Sequence, residues 1–210
     1  MRNISAALMV VAFVGAATVL SAQIKSSWKA PDAGPMDFSG KKVTAVVITD
    51  DLNVQTSGEE AIVRMLVGRG VQGVASYRMI PREELRDPAK AKGWFERAKV
   101  AGVVVMRLVS SEKETVYTPT VWATAYYSSF WNYYGTSWTA VRSYKTSVDT
   151  NLTIETLVYD VPKDKLVWAG VSQHKNPRNI QILVNELVND IAAEMRRQGL
   201  IGAGKPPVQR

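Results

Sequence analysis

The 210 residues carry a formal net charge of +7, with 46% apolar and 21% charged residues, which suits a folded domain with a core of its own. There is no cysteine, and this excludes disulfides, thiolate metal sites, thiol nucleophiles and a lipid-anchored cysteine. Basic residues are scattered, with pairs at Lys41–Lys42 and Arg196–Arg197 but no run of five. That is a solvated surface of mixed charge, not a nucleic-acid patch.

Arg2, the apolar stretch Ala6 to Leu20 and the small residues Ser21-Ala22 form the three parts of a cleavable export signal. The stretch is short of the roughly 20 residues that span a bilayer. The expected cut lies at Ala22 or Gln23, placing the mature chain in the periplasm or outside the cell. Residues 23–41 contain Pro31, Asp32, Gly34 and Pro35 and read as an extended lead-in.

A single α/β domain is expected over 42–200. Val43 to Ile48 is a near-continuous β-branched run, as in a strand buried on both faces. Asp50 and Asp51 end it and read as a strand-to-helix turn; the same place in open α/β sheets carries ligand groups. Ser57 and Glu60 have capping-box spacing, with Ile62, Val63, Leu66 and Val67 on one face of the helix that follows. Val71 to Tyr77 reads as a second strand. Pro81 to Val100 is helical in character and restarts at Asp87-Pro88, with Trp94, Phe95 and Ala98 as its buried face. Gly102 to Val109 is a third, central strand.

Thr146 to Val161 and Lys165 to Gln173 form a hairpin turned by Pro162-Lys163-Asp164. Leu152, Ile154 and Val158 fall on one face, Thr153, Glu155 and Tyr159 on the other. The closing helix has Asn176 to cap it, Pro177 at its first position, and Ile180, Leu183, Val184, Leu187, Val188, Ile191 and Met195 at helical spacing. Residues 201–210 read as a disordered tail. The expected architecture is a mixed sheet of about five strands, an early parallel βαβαβ part plus an antiparallel hairpin, with helices packed on it.

Between the third strand and the hairpin, residues 117–145 form an insertion of unusual composition. From Trp122 to Trp138, eight of seventeen residues are aromatic: Trp122, Tyr126, Tyr127, Phe130, Trp131, Tyr133, Tyr134 and Trp138. Such rings join apolar area to a polar tip at low rotamer cost. Four uses are open: a partner or oligomer contact, a glycan platform, a membrane-surface dip, or core that folds back over the sheet.

No catalytic set emerges. His174 is the only histidine, at what reads as an exposed junction, and has no spaced metal partners. Glu112 and Glu114 flank Lys113 like a solvated strand face. Gly68-Arg69-Gly70 closes a helix and does not open a phosphate loop. The chain is expected to be no enzyme, to use no cofactor and to hold no metal.

The aromatic insertion, followed by Thr153 to Asp160 and then Asp164-Lys165-Leu166-Val167-Trp168-Ala169-Gly170, resembles uncharacterised bacterial exported proteins, often lipoproteins. The resemblance is clearest over 103–200. Lys42 to Met79 is more loosely similar to the start of TolB amino-terminal and CsgG-like envelope domains. This chain departs from the lipoprotein members in lacking the anchoring cysteine. The resemblance carries no catalytic residues and implies a non-catalytic binding or scaffold role in the envelope, with an envelope protein as partner. A glycan- or lipid-binding module is the alternative, and a hydrolase the third.

Overall fold

The structure is a computed structural model; it describes residues 23–110, 119–141, 151–175 and 180–202. Its elements are β1 (Gln23–Lys29), β2 (Lys42–Ile48), α1 (Leu52–Val67), β3 (Gln72–Ala75), α2 (Ser76–Met79), α3 (Arg82–Leu85), α4 (Pro88–Arg97), β4 (Val100–Ser110), α5 (Pro119–Trp122), α6 (Ala125–Ser128), α7 (Phe130–Thr139), β5 (Asn151–Asp160), β6 (Lys165–Lys175) and α8 (Ile180–Arg197). The strands form one mixed sheet in the order β1-β6-β5-β4-β2-β3. β4, β2 and β3 are parallel, while β4, β5, β6 and β1 run antiparallel in turn. The expected mixed α/β architecture is the observed one, with a sixth strand.

That strand, β1, lies inside the expected lead-in. It pairs with β6 from Gln23↔Gln173 to Lys29↔Trp168. The Pro and Gly residues that give 23–41 its loop character begin at Pro31, after the strand has ended.

The β-branched runs are buried on both faces because helices cover both. Val43, Ala45 and Val47 of β2, with Val104, Met106, Leu152, Ile154 and Val158, face an aliphatic layer. Ile62 and Leu66 of α1 and Leu183, Val184, Leu187, Val188, Ile191 and Met195 of α8 make up that layer. The opposite face (Val46, Ile48, Val103, Val105, Leu157 and Tyr159) meets α4 and the aromatic helices. The face division expected for the hairpin is observed.

Several boundaries differ from expectation. α1 starts at Leu52, capped by Asp51, whose Oδ1 accepts from Asn53 N–H (2.8 Å) and Val54 N–H (3.2 Å). Ser57 is therefore inside the helix, and Glu60 turns instead to the Tyr77 hydroxyl (2.7 Å) and Arg78 (2.9 Å). Gly58 lies within the helix against β2, where a Cβ would stand 2.9 Å from Val47 Cγ2. The second strand is shorter than expected, since Ser76 turns the chain into α2. Asp87 caps α4 with Pro88 behind it, as expected, and α3 stands apart as a separate turn. The hairpin turn places Asp164 at φ 47°, and β6 runs on to Lys175. His174 is consequently a buried strand residue, 8% exposed with Nε2 3.3 Å from Ser172 Oγ, not an exposed junction. Asn176, Pro177, Glu112, Glu114, the export segment, the start of the first hairpin strand and the tail beyond 202 lie outside the described residues.

Candidate functional site

The aromatic segment forms three short helices laid across one sheet face. Trp122, Tyr127, Phe130, Tyr133, Tyr134 and Trp138 are buried; Tyr126 and Trp131 are half-buried. Their rings pack on one another at tilted and edge-on angles. Phe130 lies 5.5 Å from Tyr134 and 5.4 Å from Tyr159, and Trp122 lies 4.8 Å from Tyr127. As a contact surface the segment is thus reduced to its rim, because six of its rings are turned toward the sheet.

A polar hub fastens this layer. Glu155, on the outward face of β5, is 1% exposed and stands opposite Arg107 in the β4–β5 register. Its Oε2 accepts from Arg107 Nε (3.2 Å), Arg107 Nη2 (2.9 Å) and the Tyr133 hydroxyl (3.2 Å). Its Oε1 accepts from the Tyr127 hydroxyl at 2.9 Å. The hub therefore joins β4, β5, α6 and α7. Burial acts to lower the Arg107 pKa, but the Tyr133 oxygen and the Glu155 carboxylate outweigh it and push it up. Burial pushes the Tyr133 and Tyr159 phenols well above their ordinary value, so both serve as neutral donors. The Tyr159 hydroxyl donates to Tyr127 O at 2.8 Å, and Tyr134 donates to Leu85 O.

The hairpin supplies a second fastening. Asp164 accepts from Ser129 Oγ (2.6 Å) and Trp131 N–H (3.2 Å), placing a carboxylate at the start of α7. The tryptophan and glycine of the hairpin motif face the other way. Trp168 lies over Gly170, where a Cβ would stand 2.3 Å from its ring, and its Nε1 donates to Gln198 Oε1 at 3.1 Å. The motif thus ties the aromatic layer to the hairpin at one point and the end of α8 at another.

A second buried carboxylate has a similar duty. β3 ends opposite Ala45, so beyond that rung β2 has a strand partner on the β4 side alone. Glu59 of α1 accepts there from Val47 N–H (3.1 Å), and also from Gln55 Nε2 (3.2 Å), Ser76 Oγ (2.7 Å) and Tyr77 N–H (3.0 Å). Burial pushes its pKa up, against the pull of these four donors. Of the two turn aspartates, Asp51 is the cap and Asp50 pairs with Arg86 at 2.6 Å.

Two rings remain accessible at the outer rim. Trp131 packs edge-on to Phe95 at 5.4 Å, and Lys92 Nζ stands 5.9 Å from its centroid. Tyr126 bonds Ser137 Oγ at 2.9 Å. The sequence did not single out Glu155 or Arg107. Their signal was a lone carboxylate among outward β5 residues beside a tyrosine-rich insertion. A cleft of about 390 Å³ opens elsewhere, between residues 30–41 and the hairpin turn, floored by Met36, Phe38, Leu166 and Val167. No group of three His, Cys, Asp or Glu among the described residues is placed to hold a metal. None of the described helices is long and apolar enough to cross a membrane.

The fold and site define a mixed α/β sheet domain with one aliphatic and one aromatic helical layer. No family model and no curated protein matches the chain. Among solved structures, a PelC dodecamer from Paraburkholderia phytofirmans superposes with a TM-score of 0.44 at 12% identity, covering 80% of this chain and 94% of that one. The lipoprotein GNA1162 from Neisseria meningitidis superposes with a TM-score of 0.38 at 13% identity, covering 72% of this chain and 96% of that one. Superpositions this loose carry no function from those proteins to this chain.

Proposed function

We propose that this chain is a non-catalytic module of the bacterial envelope, exported by its first 22 residues, which works by contact with another envelope protein. The observation that supports this reading is the division of labour within the aromatic layer. Glu155 accepts hydrogen bonds from β4, α6 and α7, and Glu59 from β2 and α2 as well as from its own helix, so their polar chemistry serves to join layers. The accessible part of the layer is its rim, where Trp131 offers a large ring beside Lys92. Tryptophan is enriched among the residues that carry binding energy at protein contacts.

The test separates rim from core. Trp131→Ala should keep cooperative unfolding and abolish co-purification with the partner from an envelope extract. Tyr133→Ala should instead damage the fold. If Trp131→Ala leaves a reproducible partner in place, the rim is not the contact and this assignment fails.

A further inference from the structure

Strand direction brings five segments to one end of the sheet. Lys42 is in register with Gln72 and Val100, Asp160 with Gly102 and Lys165, and Lys29 with Trp168. Bonds between the segments close the end: Gly40 N–H to Gly70 O (3.1 Å), Met36 N–H to Leu200 O (2.7 Å) and Lys42 Nζ to Ala98 O (2.8 Å). Segments 29–42, 67–72, 96–102, 160–165 and 194–202 therefore share one surface. They hold ten Lys and Arg against six Asp and Glu, whereas the other described residues hold nine against ten. The surplus positive charge of the described chain sits at this end.

Helix dipoles explain part of it. α1, α4 and α8 all finish here, and a helix C-terminus favours cations within its last turn. Lys41, Lys163 and Lys165 belong to loops and a strand start, beyond that reach. Of the six acids, five are engaged: Asp32 with Lys165, Asp160 with Lys163, Glu194 with Arg197, Asp164 with α7 and Asp37 with Ser39 N–H; Glu96 is exposed. Lys41, Lys99 and Arg196 are exposed and in no ion pair among the described residues. Arg69 is half-buried beside Arg196, with no acceptor at its Nε. Positive charge exceeds negative at this end by four.

We infer that this end is a docking surface for a membrane leaflet rich in anionic lipid headgroups. The cations span six strands, a width of about 24 Å, which suits a plane better than one strand of an acidic polymer. Val67, 57% exposed, lies among them and offers an apolar contact. Basic clusters of this kind are attracted to anionic leaflets within a Debye length. This surface is separate from the Trp131 rim, so either assignment can fail without the other.

The test is sedimentation of the full chain with vesicles of phosphatidylcholine alone and of phosphatidylcholine with about one-third phosphatidylglycerol. Binding to the neutral vesicles measures what the apolar first 22 residues contribute, which is common to every variant. The wild type should prefer the anionic vesicles by at least about tenfold, and salt well above physiological should remove that preference. A triple variant at this end, Lys41→Glu, Lys163→Glu and Arg196→Glu, should lose it. A matched control elsewhere, Lys25→Glu, Arg82→Glu and Lys90→Glu, should keep it. All six positions are exposed, and unchanged near-UV circular dichroism verifies folding. Three results would overturn the inference: no preference in the wild type, equal loss in the control, or binding to an acidic polysaccharide without binding to vesicles.

Discussion

The two helical layers of this molecule cover the same sheet by different means. On one face α1 and α8 press long aliphatic stripes against β2, β4 and β5, and apolar burial suffices to hold them. On the other face three short helices carry the rings, too short to be stable by themselves. The second and third of them, α6 and α7, stay in place because Glu155 and Asp164 bind them from below. One layer depends on area, the other on a few polar fastenings as well, and the second is the easier to detach by a single change.

The largest expected effect is therefore at the hub. Glu155→Ala leaves Arg107 without its carboxylate and should cost about 3–5 kcal/mol, with loss of the near-UV circular dichroism signal of the aromatic layer. In the aliphatic layer, Leu187→Ala (1% exposed in the native chain) should cost about 3 kcal/mol by denaturant unfolding while leaving that aromatic signal intact. If both variants changed the signal alike, the two layers would not be held differently. Smaller again is the cap of α1. Asp51→Ala should cost about 1 kcal/mol, whereas Ser57→Ala should stay within about 0.5 kcal/mol.

The least effect concerns His174, on the aliphatic side. Burial lowers its pKa below the ordinary 6.5, so the folded chain binds fewer protons than the unfolded one. Its contribution to stability is full above that value and declines as pH falls through it. Since it is the only histidine, His174→Gln should flatten the stability profile between about pH 5 and 7. An unchanged profile would place that dependence elsewhere.

The aliphatic layer was legible in the sequence because periodicity reports burial directly. Leu183 to Met195 repeat at helical spacing and all face the sheet. β2 and β4 were legible as continuous runs for the same reason. β1 was not, since Gln23-Ile24-Lys25-Ser26-Ser27-Trp28-Lys29 is a half-exposed edge strand with little apolar pattern. The true start of α1 was hidden because Asp51 competes with a better-looking box at Ser57 and Glu60. In the aromatic segment the residue types were conspicuous, but their direction was not. Which rings face the sheet is set by contacts of Tyr127, Ser129, Trp131 and Tyr133 with Glu155 and Asp164, 22 to 35 positions away in the chain, and no local period records them. Of the eight rings named from the sequence, Tyr126 and Trp131 are the ones left at the surface.

The account turns on residues 125–139 being a sheet-bound layer fastened by Glu155. Amide hydrogen exchange of the wild type and of Glu155→Gln tests this most directly. The wild type should protect this segment nearly as well as α8, and the variant should lose protection there while α8 keeps its own. Rapid exchange across 125–139 in the wild type, or equal protection in the variant, would contradict it.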